Sequence, residues 1–222
     1  MDVDEEVDWG EPSEANTGGR NWDDQALGVW HHLVGTYDGL LMKLYVDGEH
    51  LGTRNPTGAS ALTTAPGDLR LGGIHDGTNH HLTGRLDEAS VWTSTLSESD
   101  VALLYNGGTP TDLTQHPEAS ALASWWRMGD HALDNSTETS AMIVDVIGGR
   151  HGTPTGTAGD ELVEETVGNL PIPNHSVLSL DGVDDLVTVP ADLSLRPTDQ
   201  ITVSAWVRVD PEWAPSYRHV IR

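Results

Sequence analysis

The stretch "VWHHLVGTYDGLLMKLYVDGEHLG", residues 29–52, decides the architecture. It holds two alternating runs around Asp38-Gly39. Trp30, His32, Val34 and Thr36 share one side of the first run, and His31, Leu33, Gly35 and Tyr37 the other. In the second run Met42, Leu44 and Val46 oppose Lys43 and Tyr45. A period of two is the mark of a strand with two chemically distinct faces. Asp38-Gly39 and Asp47-Gly48 are both hairpin dipeptides, because glycine reaches positive φ without penalty. The segment is therefore predicted to be an antiparallel β-meander.

More strands follow. "GDLRLGG", 67–73, sets Leu69 and Leu71 on one side. "LTGRLDEASVWTSTL", 82–96, is a longer strand anchored by Leu86, Val91 and Trp92. The period then changes in "LSESDVALLYNGG". Ser97 can cap a helix with Asp100 at its third position, Val101, Leu104 and Tyr105 form an apolar stripe, and Asn106-Gly107 stops it. Residues 107–121 have no periodicity and are expected to be a linker. Beyond them "LASWWRMGD" opens a new β region, and "SAMIVDVIGGRHGTPTG" reads as a strand, a Gly-Gly turn and a small hairpin. "SVLSLDGVDDLVTVP" is expected to be a hairpin turning at Gly182. "QITVSAWVRVD" alternates Ile201, Val203, Ala205, Val207 and Val209 against Thr202, Ser204, Trp206 and Arg208. Residues 1–25 are acidic and read as a loop or a frayed strand near Trp9.

Composition narrows the function classes. The 222 residues carry 35 acidic against 11 basic side chains, a formal charge of −24. Lys43 is the single lysine. Such a surface repels nucleic acid and anionic membranes, and it suits cations, neutral ligands or a saline medium. Without cysteine there is neither a disulfide framework nor a thiolate zinc site. No apolar run approaches the roughly 18 residues of a membrane helix. The acidic start "MDVDEEVDWGE" is unlike a signal peptide, so the chain is expected either to use another route or to be an internal piece of a longer protein. With 24 glycines and 12 prolines but no phenylalanine, the chain favours short strands and many turns, an all-β sandwich.

The motifs in this order resemble the LamG-like jellyroll, the laminin G and pentraxin-like branch of the concanavalin A-like superfamily. Trp30-His31, Thr36 to Gly39, Leu44 to Gly48, Gly84 to Glu88 and Leu96 to Tyr105 resemble the C-terminal half of such a domain. "WWRMGD", "IVDVIGGRHGT", "SVLSLDGVDDLVTVP" and "ITVSAWVR" resemble its first strands. The halves are in inverted order. The resemblance therefore implies that residues 1–106 are the C-terminal half of one repeat, 107–121 a linker, and 122–222 the N-terminal half of the next. The halves either stand apart or close as one circularly permuted sandwich, since exposed strand edges are costly.

The resemblance also implies chemistry. Its superfamily often holds structural Ca²⁺ where first and last strands meet, and carried over here the ligands are Asp87, Asp130 and Asp184, brought alongside only by the permuted closure. It implies no catalysis. The related laminarinase-type enzymes need two carboxylates on one strand face, whereas Asp87-Glu88 and Asp184-Asp185 are adjacent and alternate to opposite faces. Zinc is disfavoured at His31-His32 and His80-His81 for the same reason. Trp9, Trp22 and Trp213 lie in loop-like stretches and are the candidates for stacking on a sugar, whereas Trp30, Trp92, Trp126 and Trp206 are expected to pack. Asn135-Ser136-Thr137 and Asn174-His175-Ser176 are glycosylation sequons. The implied role is a binding or adhesion module of a large extracellular, cell-surface or virion-surface protein, holding a glycan or a protein partner. The alternatives are an accessory carbohydrate-binding module of a secreted enzyme and a structural spacer.

Overall fold

A computed structural model describes residues 26–55, 67–73, 81–136, 141–156, 162–165, 174–211 and 221. The meander forms as the alternation requires: β1 (Trp30–Tyr37), β2 (Met42–Val46) and β3 (Glu49–Arg54) pair in sequence. After β4 (Leu69–Leu71) and β5 (Thr83–Trp92) comes the one α-helix among the described residues, α1 (Glu98–Tyr105). Ser97 caps it in a full capping box with Asp100, and Asn106 ends it in the left-handed region at φ 48°. The second half supplies β6 (Leu122–Trp126), β7 (Thr153–Thr155), β8 (Leu162–Glu164), β9 (Ser176–Asp181), β10 (Leu186–Val189) and β11 (Ile201–Val209).

The two halves build one antiparallel sandwich, a concanavalin A-like jellyroll. The larger sheet runs β3-β2-β1-β11-β5-β9-β8, with β6 also on β5, and the smaller runs β4-β10-β7. The halves interleave in both sheets. β11 lies between β1 and β5, along Trp30↔Arg208 to Tyr37↔Ile201 on one side and Thr202↔Trp92 to Val209↔Gly84 on the other. β10 takes β4 from the first half and β7 from its own.

The strand alternation sorts the core into two layers. Between the sheets, Leu86, Ala89, Val91, Leu178, Leu180, Ala205 and Val207 meet Leu71, Val187 and Val189. On the outer face of the larger sheet, Val34, Tyr45 and Trp92 are covered by Val101 and Leu104 of α1. Beneath the helix the sheet is laced by hydroxyls. Ser90 bonds Ser204 at 2.7 Å, Trp92 Nε1 donates to Ser90, and Thr202 receives the Leu96 amide.

Three expectations need correction. β9 and β10 are not a hairpin: β9 pairs β5 and β8 in the larger sheet, and β10 pairs β4 and β7 in the smaller. The turn at Gly182, φ 80°, carries the chain across the core instead of back along one sheet. Residues 107–121 are not a loose linker either. They hold two 3-10 turns, Leu113–Gln115 and Ala119–Ala121. Leu113 is buried, and His116 sets its ring edge-on against Trp92 at 5.1 Å while bonding the Asp100 carbonyl. Third, β5 does not alternate throughout. Asp87 faces Trp206 and Ser90 faces Ser204, so Glu88 and Ala89 share the space opposite Ala205. This is a β-bulge, with Glu88 at φ 48°.

Candidate functional site

The bulge governs the chemistry of the site. One edge of β5 is shared by two strands end to end: β9 pairs residues 83–86 and β6 pairs residues 89–92. Asp87 and Glu88 sit at the fork, where neither strand serves the backbone. The residues leaving β6 and entering β9 converge on the same gap. Asn174 Nδ2 donates to Asp87 Oδ2 at 2.8 Å and to Glu88 Oε1 at 3.0 Å. Arg127 pairs with Glu88 at 3.1 Å and with Asp130 at 3.4 Å. Trp125 Nε1 donates to the other Glu88 oxygen. Asp130 Oδ1 in turn accepts the His175 and Ser176 amides at the start of β9. The adjacent carboxylates thus converge on one amide rather than diverging, because the bulge resets the pleat between them.

Burial shapes the electrostatics of this node. Asp87 is 0% exposed and Glu88 4%. Desolvation, with the neighbouring Glu88 and Asp130 charges, pushes the Asp87 carboxyl well above its ordinary range. Burial also raises Glu88, against the Arg127 guanidinium and the Asn174 and Trp125 hydrogen bonds that favour its charged form. Burial raises Asp130 as well, opposed by the two β9 amides and Arg127. Asn174, at 1% exposure, spends its Nδ2 on Asp87 and Glu88, so the acceptor side chain of the second sequon is buried.

The structure brings Asp87 and Asp130 into one node and leaves Asp184 elsewhere. Asp130 caps Ser176 at one end of β9, whereas the turn bearing Asp184 follows Asp181 at the other. At roughly 3.3 Å per residue the two ends are about 16 Å apart. In that turn a different set gathers: Asp181, Asp184 and Asp185 present carboxylate oxygens all within 4.8 Å of one another. The turn holds them by its own hydrogen bonds. Asp181 Oδ1 accepts the Val183 amide, and Asp185 Oδ2 accepts the Asp181 amide. Three clustered hard oxygens fit a Ca²⁺ ion, which takes carboxylates, carbonyls and water at about 2.3–2.6 Å. The resemblance carried over only Asp184 of this trio as a ligand; Asp181 and Asp185 stand beside it because the turn that crosses between the sheets closes on itself.

Trp9, Trp22 and Trp213 lie outside the described residues. The four tryptophans expected to pack do so: Trp92, Trp126 and Trp206 are buried, and Trp30 is half-buried with Nε1 on Glu165. The adjacent histidines diverge. His31 bonds Asp47 at 2.7 Å, which raises its pKa. His32 is buried in a stack with Trp206 and Tyr105, at 5.1 and 6.3 Å between ring centres. Among the described residues its Nδ1 has no partner, and burial pushes its pKa down to about 4.

Residues 6–102 match the Laminin_G_3 family, described as the concanavalin A-like lectin/glucanases superfamily. The LamG-like resemblance therefore holds over that stretch. Mouse Pappalysin-1 is 36% identical over 77 residues, 33% of this chain. The chain spans 5% of the length of that curated relative. No solved structure matches the chain. No helix among the described residues is long and apolar enough to cross a membrane.

Proposed function

We propose that the protein is a non-catalytic LamG-like binding module of an extracellular or surface protein, recognising a glycan or a protein partner. The observation that carries this reading is the state of the paired strand carboxylates. Asp87 and Glu88 are the kind of pair that a glycosidase needs, yet they are sealed from solvent and tied to Asn174, Arg127 and Trp125. A retaining hydrolase requires such a pair to flank the substrate about 5 Å apart in an open cleft. At this fork the pair instead closes the sheet where two strands meet. The acidic surface, net −24, favours neutral or cationic partners over polyanions.

A structural Ca²⁺ belongs to this proposal, held by Asp181, Asp184 and Asp185 at the crossing between the sheets. The ion would neutralise three like charges on a short turn. The two halves, 1–106 and 122–222, are proposed to descend from consecutive repeats, a reading supported by the inverted order of their motifs. The test is a glycan array probed with the folded protein, with and without Ca²⁺, beside a pull-down of surface proteins. Specific binding in either format supports the module; turnover of a polysaccharide by the purified chain overturns it.

A further inference from the structure

The two halves of the chain carry charge of the same sign. Residues 1–106 hold 18 acidic and 5 basic side chains, and residues 122–222 hold 15 and 6. Among the described residues, five of the nine strand pairings join one half to the other: β11 to β1 and β5, β6 and β9 to β5, and β10 to β4. Closing the sandwich therefore brings two polyanions into one body. Its surface does not offset them. Ten of the described acidic residues are exposed, and no described lysine or arginine is. The arginines are spent within the fold: Arg127 pairs with Glu88, Arg150 with Asp145, and Arg85 and Arg208 share Glu165. Like charges meet at two seams between the halves. β1 and β11 end together at Tyr37↔Ile201. Asp38 and Asp199 stand exposed just beyond, on turns so close that a Cβ at Gly39 would lie 3.1 Å from the Asp199 carbonyl oxygen. The second seam is at Leu69↔Val189, where β4 meets β10. There Asp68 accepts the Ala191 amide at 3.0 Å, and the exposed Asp192 follows. One cation attends each seam, Lys43 near Asp38 and Arg150 on Asp192, so each keeps a net negative charge.

We propose that closure of this sandwich is gated by salt: the halves stay closed in molar monovalent salt and part in dilute buffer. Exposed charges act on one another over about 10 Å at 0.1 M ionic strength and about 3 Å at 1 M, whereas buried pairs are screened far less. Repulsion among surface charges opposes the compact state, and a fold's net stability is small enough for that repulsion to decide it. Salt therefore removes the repulsion at the seams and leaves the interior pairs of Arg127 and Arg150 in place. β11 is the strand most affected, because it alone bridges β1 to β5 and its own half is like-charged with both neighbours. The ligand is an atmosphere of hydrated monovalent cations rather than one ion at one place. A concentrated saline medium is the solvent in which the closed form prevails.

The experiment takes the full chain at constant pH from about 2 M to about 0.05 M KCl, a range that spans short and long screening lengths. Near-UV circular dichroism reads the packing of the buried Trp92, Trp126 and Trp206, and small-angle scattering reads the size. On dilution the near-UV signal is expected to vanish and the radius to grow by at least about half, both returning when KCl is restored. Sucrose at matched osmolality favours burial without screening charge, so it is expected not to restore them. Asp38→Asn with Asp199→Asn, which keeps a side-chain acceptor at both positions, is expected to lower the KCl midpoint about twofold. Glu118→Gln with Glu164→Gln removes the same charge outside both seams and is expected to move the midpoint far less. An unchanged near-UV signal and Tm across the salt range would overturn the proposal. So would recovery in sucrose, or an equal shift for the two double variants.

Discussion

His32 offers the sharpest test of how burial shapes this fold. Its ring packs against both Trp206 and Tyr105, which also stack on each other at 5.9 Å, and among the described residues its Nδ1 finds no partner. Desolvation holds its pKa at about 4, against the weaker opposing pull of Asp47. The unfolded chain titrates near 6.5. Above pH 6.5 both states are neutral and the group is silent. Below it the unfolded state gains a proton that the folded state refuses, so stability falls as pH drops from 6.5 to about 4. The linkage relation puts that loss at about 2 kcal/mol at pH 5 and about 0.2 kcal/mol at pH 7. His32→Phe keeps the ring stack and removes the titration. Urea unfolding of both proteins at pH 7.5 and pH 5 should therefore show the variant gaining about 2 kcal/mol on the wild type over that interval. His31, whose pKa moves upward on Asp47, titrates in both proteins and cancels in the difference. Parallel stability curves, separated by a constant amount, would refute the burial argument.

Other changes test the remaining elements. Asn174→Asp places a third carboxylate against Asp87 and Glu88 and removes their shared donor; it should cost about 3 kcal/mol or more in urea unfolding at neutral pH. Leu104→Ala, under α1, should cost about 2–5 kcal/mol. Ser97→Ala, at the helix cap, should cost about 1 kcal/mol by the same assay. Gly84→Ala sets a Cβ 2.1 Å from the Arg208 carbonyl, at φ +154°, and should lower Tm sharply by prising β5 from β11. Ca²⁺ should raise the Tm of the wild type and not of Asp184→Asn. Among the described residues Asp184 accepts no hydrogen bond from the turn, so its loss reports on the ion alone.

What local sequence can express, it expressed well here. The meander, α1 and the alternation of β11 follow from periods and caps that lie within a few residues. The errors arose where the deciding contact is remote. A glycine turn after a strand looks the same whether the chain returns to its own sheet or crosses to the other. Only the shared burial of Leu178, Leu180, Val187 and Val189 in one core distinguishes the two. β8 has three residues and no pattern to betray it. The bulge did leave a trace: Leu86 and Val91 are five apart, an odd spacing that strict alternation cannot bury on one face. Asn174 left none, because its partners are 86 and 87 residues away. Trp9, Trp22 and Trp213 lie outside the described residues.

The position of β11 sets the order in which the protein can be made. It fills the slot between β1 and β5, yet more than 100 residues separate it from either neighbour (Trp92 bonds across to Thr202). A ribosome releasing the chain from its N-terminus exposes both flanking strands with their inner edges bare. They stay bare for about 5–20 seconds at 5–20 residues per second. Through that interval the first half cannot fold as a unit, and its open edges invite the wrong strands. The net charge of −24 repels one nascent copy from another through that interval, until β11 closes the large sheet.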